Sequence, residues 1–259
     1  MMIQLTSHQT ITLRDWFTPD KPGPLIGLHV IHTGHGACWA DRWPEPRAVL
    51  VETAGNYSLA GDPDTLQPDS LRGLIHGFVE APKKFVPLLE AAFPTLQMWD
   101  RVILELAGPP QFNLSPGFIV RRLEAADARS LNKLSAEVAW IGKTWGGLEG
   151  MVASGYAWGA FAGERVVSVS CTFFVGDRYE EIGVVTEPEF RGKGLSVACA
   201  GSLCTDIQQR SRRASWTTSP DNIASLRVAQ KLGFVEHRRD YSYVIGVSIP
   251  ESPQREVEG

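Results

Sequence analysis

Apolar residues recur at Leu195, Cys199, Leu203 and Ile207, with Ala198 beside them, the spacing of one face of a helix. A second stripe, Ala224, Val228 and Leu232, starts after Asp221 or Asn222 as a cap and ends at Gly233, a residue suited to a left-handed stop. Residues 214–218 between them read as a strand. Upstream, 156–161, 165–174 and 179–186 read as three successive strands joined by Ala162-Gly163-Glu164 and Val175-Gly176-Asp177, an antiparallel meander. Before the meander come a strand over 118–123 and a helix over 127–138 with Leu131, Leu134 and Val138 inward. Residues 140–147, rich in Trp and Gly, form a loop or broken helix, and 240–247 supply a closing strand.

The first part of the chain is patterned more weakly. Residues 47–52 and 56–60 read as strands around Thr53-Ala54-Gly55. Pro68-Asp69-Ser70 precedes Leu71, Leu74, Ile75 and Phe78 at helical spacing, 85–93 suit a second short helix, and 102–106 a strand. Residues 106–117 are dense in turn formers and make the best linker. The pattern divides the chain into an N-terminal α/β region over 1–115, a main domain over 116–249 and a flexible tail over 250–259.

Composition narrows the function classes. Of 259 residues, 43% are hydrophobic and 21% charged, enough apolar material for a core. A net charge of −4 gives no electrostatic reason to expect nucleic acid. No apolar run approaches the ~20 residues of a membrane span, and the start has no cationic segment followed by an apolar one. Four cysteines are too sparse for a disulfide framework, so the cytoplasm is the expected compartment. His29, His32, His35 and Cys38 recur every third residue and are metal-ligand types. Gly34 and Gly36 among them argue against one helical face, and a strand would send alternate members to opposite sides, so the stretch reads as a glycine-rich loop and no metal site is expected.

The chemistry concentrates where a strand ends and the Leu195 helix begins. Pro188 ends strand pairing, and Gly192 and Gly194 allow a ligand to approach the main chain closely. The first turn of the helix points unpaired N–H groups outward at the positive end of its dipole, and Arg191 and Lys193 add charge, which makes an anion site. A dinucleotide loop is excluded because Val197 stands where a third glycine is needed. A triphosphate loop at Gly142-Lys143-Thr144 is excluded because Glu137 stands where a glycine is needed.

What remains, Arg191-x-x-Gly194-x-Ser196, resembles the pyrophosphate signature Arg/Gln-x-x-Gly-x-Gly/Ala of the GNAT superfamily of N-acyltransferases, with Ser196 a small departure at the last position. Asn222-x-x-Ser225 followed by Lys231-Leu232-Gly233-Phe234 is similar to that family's second motif, in the family's order. The resemblance covers about 117–247 and implies an α/β (α+β) fold with a mixed central sheet flanked by helices. It also implies that 1–115 is an additional α/β region, comparable to the degenerate GNAT-like half of some branches.

The resemblance implies acyl transfer, most simply of acetyl from acetyl-CoA to a primary amine on a small molecule. The main chain of Arg191, Gly192, Lys193, Gly194, Leu195 and Ser196 would hold the diphosphate. Val184, Val185 and Thr186 would pair with the pantetheine arm and face the oxyanion, and Asn222 and Ser225 would line its thiol end. Lys231 or Arg227 would meet the 3′-phosphate. A lysine-like amine costs about 4.6 kcal/mol to neutralise at pH 7 and an α-amine about 1, so a base matters more for the first. The family often keeps its base on the strand before the phosphate turn, which here carries Glu181, the favoured candidate, and Glu180 on the opposite face, with Glu149 as a third. The alternative is that Glu180 and Glu181 are solvated strand-edge charges. Where the family usually has a tyrosine acid this chain has Ala229, leaving Tyr241, Tyr243 or solvent to protonate the thiolate. That departure leaves a second reading open, a module that binds CoA without efficient turnover. Trp140, Trp145 and Trp158 suit either an acceptor pocket or the core.

Overall fold

Strand follows strand across one continuous twelve-stranded sheet in the computed structural model, which describes residues 1–114 and 116–250. In chain order the strands are β1 (Ile3–Gln4), β2 (Ala37–Ala40), β3 (Ala48–Thr53), β4 (Asn56–Gly61), β5 (Gly77–Glu80) and β6 (Gln97–Leu106). They continue with β7 (Ile119–Arg122), β8 (Ala157–Ala162), β9 (Arg165–Val175), β10 (Tyr179–Thr186), β11 (Arg213–Thr218) and β12 (Phe234–Ile245). The helices are α1 (Ser7–Ile11), α2 (Ile26–Thr33), α3 (Asp69–Arg72), α4 (Val86–Ala92), α5 (Ala128–Leu131), α6 (Leu148–Ala153), α7 (Leu195–Gln209) and α8 (Ile223–Leu232). None of them is long and apolar enough to cross a membrane.

Across the sheet the order is β1-β2-β3-β4-β5-β12-β6-β11-β10-β9-β8-β7, with parallel pairing of β4 with β5 and β10 with β11 in an otherwise antiparallel set. The sheet is therefore mixed and flanked by helices, as the α/β resemblance implies. Alternation sorts its side chains onto two faces. One face packs Leu50, Leu59, Val79 and Tyr243 against α3 and α4, and Leu104, Ile182, Ala214 and Trp216 against α7 and α8. The other packs Val49, Val51 and Phe174 against α2, and Ala157, Val169 and Val185 against α5 and α6. Buried His29 of α2 ties the second layer together. Its Nδ1 accepts from the Val175 N–H at 3.2 Å, so Nε2 carries the proton and donates to the Thr144 carbonyl at 2.8 Å.

The meander, both motif helices and the strand between them lie where the pattern put them, within a residue or two. Elsewhere the structure departs from the pattern. The helix expected through Phe78 is one turn long, because Gly73 and Gly77 follow it. A Cβ on Gly77, at φ +147°, would collide with the Gly55 carbonyl, and the chain there enters β5 instead. Leu71 and Ile75 still reach the core. The helix expected over 127–138 is likewise short, since Ser135 donates its N–H to Glu187 Oε1 at 2.8 Å instead of continuing the ladder. The stretch read as a glycine-rich loop holds His29 and His32 on α2, capped by left-handed Gly34, and Cys38 on β2.

The largest departure concerns the linker. Residues 107–116 do separate elements, but they do not separate sheets. β6, from the N-terminal side, hydrogen-bonds to β11 through Ser215↔Glu105 to Thr218↔Val102 and to β12 through ten registered pairs. β12, from the C-terminal side, pairs in turn with β5 through Tyr243↔Val79. Each region thus lends the other a strand, which a division at 115 does not anticipate. Of the expected tail, residues 251–259 lie outside the described residues.

Candidate active site

The parallel strands β10 and β11 pair only at Tyr179↔Arg213, Glu180↔Ala214 and Glu181↔Ser215, although β10 runs on to Thr186. Beyond Glu181 the two strands part, so Ile182 to Thr186 keep β9 as neighbour on one side and leave the other unpaired. A register shift in the β9 pairing between Glu181 and Ile182 marks the same point. At the open end the chain turns through Gly192 and Gly194, both at φ +77°, into α7. No side chain caps α7, and its first closing bond is the Ala198 N–H to the Gly194 carbonyl at 3.1 Å. The amides before it line a cleft of about 130 Å³ with Thr186, Arg191 and, from α8, Arg227, Val228 and Lys231. A helix start with open amides and cations on the opposite wall suits a diphosphate.

The hydroxyl of Ser196 serves the protein itself. Ser168 Oγ donates to the Val185 carbonyl at 2.8 Å, so it accepts from Thr186 at 2.7 Å. Thr186 therefore accepts from Ser196 at 2.8 Å, and the Ser196 proton points inward. An anion at the α7 start would therefore meet main-chain donors and not this hydroxyl. Arg191 is held at the rim by an ion pair with Glu137 and a 3.4 Å bond from Nε to the Thr186 carbonyl. Lys193 lies over the Phe190 ring at 4.8 Å. On α8, Asn222 Oδ1 accepts from the Ser225 N–H at 3.0 Å, and Ser225 Oγ accepts from Trp216 Nε1 at 2.9 Å. Both motif residues thereby fix the α8 start against β11.

The two adjacent glutamates have opposite surroundings. Glu180 is wholly buried on the α7 face, where it accepts from Arg210 at 2.8 and 3.0 Å, from Arg212 at 3.2 Å and from the Thr172 hydroxyl. So bound, it anchors the α7 end to β10 and is poorly placed to take a proton in the cleft. Glu181 is on the other face, at the last paired position before the strands part, and its Oε2 is buried with no hydrogen-bond partner among the described residues. Burial pushes its carboxyl up to about 7. The nearby Thr217 hydroxyl, which makes no well-formed hydrogen bond, and the charges of Arg101 and Arg238 oppose that rise.

The expected acids do not converge with Glu181. Tyr241, 41% exposed, alternates with Asp240 onto the opposite face of β12, and Tyr243 is buried among Leu50, Leu59 and Phe85. Of the tryptophans, Trp145 is core and donates to the Thr172 carbonyl at 2.7 Å, Trp140 is exposed against Phe173, and Trp158 lies beneath Arg122.

A model of the GNAT acetyltransferase family matches residues 111–244, just over half of the chain. The chain is 42% identical over 212 residues to an N-acetyltransferase in the mutA 5′ region of Streptomyces virginiae, spanning 81% of this chain and 90% of that one. The chain belongs to the GNAT acetyltransferase family. The N-acetyltransferase YdfB of Bacillus subtilis is 24% identical over 250 residues, covering 89% of this chain and 94% of YdfB. Among solved structures, a GCN5-related N-acetyltransferase-like protein from Streptococcus suis matches with TM-score 0.68 at 17% identity, covering 92% of this chain and 99% of that one. A tandem GNAT protein from the clavulanic acid biosynthesis pathway matches with TM-score 0.58 at 13% identity, covering 94% and 97%. Both share the fold along nearly their whole length, N-terminal region included.

In this acetyltransferase Thr186, Arg191, Gly192, Gly194, Leu195 and Ser196 line the cleft, whereas Val184, Val185, Asn222 and Ser225 are not among its lining residues. Residues outside any motif went unnoticed: Glu80, Trp99, Arg101 and Thr217, which lie on the Glu181 face. Glu80 lies just past the helix expected through Phe78, in a stretch given no element, whereas the structure has Gly77–Glu80 as a strand. Arg101 and Trp99 precede the apolar run of β6 and carry no pattern of their own.

Proposed function

We propose that this GNAT protein transfers the acetyl group of acetyl-CoA to a primary amine by direct attack on the thioester. The observation that carries the reading is the coincidence of three features: the amide-lined cleft at the α7 start, the unpaired edge of β10, and Glu181 at the point where β10 and β11 part. The diphosphate would rest on the amides from Gly192 to Ser196, with Arg227 and Lys231 on the opposite wall. The pantetheine would run along Val184 to Thr186 as an added strand, its carbonyl facing main-chain N–H groups. The amine nitrogen then bonds to the thioester carbon as the carbon–sulfur bond breaks. Glu181 takes the amine's proton, and the departing thiolate takes one from water.

A base near 7 is half ionised at neutral pH, which suits that role. A thiol of pKa about 8.5 leaves readily enough that a protein acid is not required. This matters because Ala229 is buried in the core and neither Tyr241 nor Tyr243 faces Glu181. That same lack of an acid favours the second reading, a CoA-binding module with little turnover. Calorimetric titration with CoA, beside a thiol-release assay with a panel of amines, separates the two. Binding with turnover supports the enzyme, binding without turnover supports the module, and no binding refutes both.

A further inference from the structure

The face that holds Glu181 carries side chains that donor binding leaves unused. Trp99 and Arg101 of β6 lie opposite Ser242 and Asp240 of β12 on that face, and Glu80 of β5 extends the row by one strand. Ser242 is buried, and Glu80, Trp99, Arg101 and Asp240 are half-buried. The row stands apart from the apolar clusters under α2 and α6. It is a polar, aromatic-floored strip leading to Glu181.

Arg101 is the unusual member. Its guanidinium lies over the Trp99 ring at 3.9 Å, and Phe78 braces that ring at 5.5 Å between centroids. The carboxyl groups of Glu181, Glu80 and Asp221 lie near enough for their charge to act on it, but none forms an ion pair or hydrogen bond with it among the described residues. Other arginines at this sheet are engaged by carboxylates: Arg122 by Asp206 at 2.6 Å, Arg210 by Glu180 at 2.8 Å. Arg101 has Asp240 directly opposite, yet Asp240 is occupied by Arg238 at 3.3 Å and by the Tyr241 N–H at 3.0 Å. Glu80, pushed up to about 8 by burial and by the charges of Asp240 and Glu181, is mostly neutral at pH 7 and can donate a proton to an acceptor oxygen. A guanidinium stacked on its face with its N–H edge unused is arranged to take a planar carboxylate edge-on.

Resting on the acetyl-transfer reading above, we propose that the acceptor is an amino carboxylate, with its carboxylate held by the N–H edge of Arg101 and its amine presented to Glu181. Such a zwitterion gives the unused N–H edge of Arg101 a hydrogen-bond acceptor and gives Glu181 Oε2 a donor. A diamine would set a second ammonium against Arg101, and a neutral amine would leave its donors unmatched in a partly desolvated site.

The test uses the full chain, acetyl-CoA and thiol release with three acceptor sets: the standard α-amino acids with β-alanine and 4-aminobutyrate, the carboxamides of the same compounds, and α,ω-diamines. At least one amino carboxylate is expected to be acetylated with kcat/KM ~30-fold or more above its carboxamide. Arg101→Gln should raise KM for that acceptor by a similar factor, well beyond any loss on its carboxamide, which feels only the removal of a charge that favours ionised Glu181, and should leave the KM of acetyl-CoA unchanged. Arg101→Lys should fall between. Melting temperature and the acetyl-CoA KM report whether each variant is folded. Preference for carboxamides or diamines, or equal loss on both acceptor types in Arg101→Gln, overturns the proposal. Acetyl-CoA binding with no amino carboxylate used also overturns it but leaves the donor reading intact. Failure to bind acetyl-CoA overturns both.

Discussion

Replacing Glu181 by glutamine keeps the shape of the side chain and removes its ability to take a proton. With the carboxyl near 7, the ionised fraction rises from about 9% at pH 6 to about 91% at pH 8, so kcat at saturating acceptor should climb about tenfold over that interval. The variant should lose that limb. The size of the loss follows from the acceptor. Neutralising an amine of pKa 10.4 at pH 7 costs about 4.6 kcal/mol, so a base that removes this cost is worth up to ~2,000-fold; for an α-amine near 8 the limit is about tenfold. Steady-state kinetics on two acceptors of different basicity, at half-unit pH steps, reads both features. Stability supplies a second measurement. A carboxyl raised from 4.5 to about 7 by folding contributes stability that is complete below pH 4.5 and lost as pH rises through 7, about 3 kcal/mol in all. Glu181→Gln should therefore unfold at higher urea than wild type at pH 8, and the difference should shrink toward pH 5. A variant that retains the pH limb, or that slows both acceptors equally, would refute the base assignment.

Gly194→Glu puts a side chain at φ +77° and a negative charge at the α7 start, so CoA affinity should fall more than ~100-fold while strain of about 1–2 kcal/mol leaves the protein folded. Calorimetry with circular dichroism checks it, and unchanged affinity would place the diphosphate elsewhere. Ser196→Ala removes a hydroxyl whose proton points to Thr186, so CoA affinity should stay within about threefold and stability should drop about 1 kcal/mol. A tenfold loss of affinity would mean that the hydroxyl reaches the phosphate. His29, held near 4 by burial, contributes stability that is present above its ordinary 6.5 and lost as pH falls toward 4, about 2 kcal/mol between pH 6.5 and 5. His29→Phe should lose the Thr144 and Val175 bonds and be less stable at pH 7. Its urea midpoint should then lack this component of the acid decline, and an identical pH slope would count against the mechanism.

The parts legible in the sequence are those fixed by local physics. The meander shows because tight turns separate its strands, and the Gly192-to-Ser196 turn shows because few backbones need two glycines before a capless helix. The strand exchange is invisible locally. Nothing in Gln97-Met98-Trp99-Asp100-Arg101 announces that β6 will lie between β11 and β12, since that placement is settled by partners more than a hundred residues away. Glu180 and Glu181 are nearly interchangeable on paper, and alternation alone separates them by face. Only the arginines after α7 show that Glu180 is tied down. The strip proposed to hold the acceptor carries no local signal for a similar reason. Its members come from three strands, each contributing one or two polar residues with no spacing rule between them.

The position of β12 has a consequence for how the chain is made. Residues 234–245 must slot between β5 and β6, both of which leave the ribosome well over a hundred residues earlier. Until then the facing edges of β5 and β6 have unpaired backbone groups open to any passing partner. Synthesis thus has a long vulnerable interval, and closure has to wait for the final stretch, a high-contact-order step that folds slowly and invites chaperone guarding. A ribosome stalled after α8 would hold a chain with its cofactor motifs complete and its sheet unzipped at the centre.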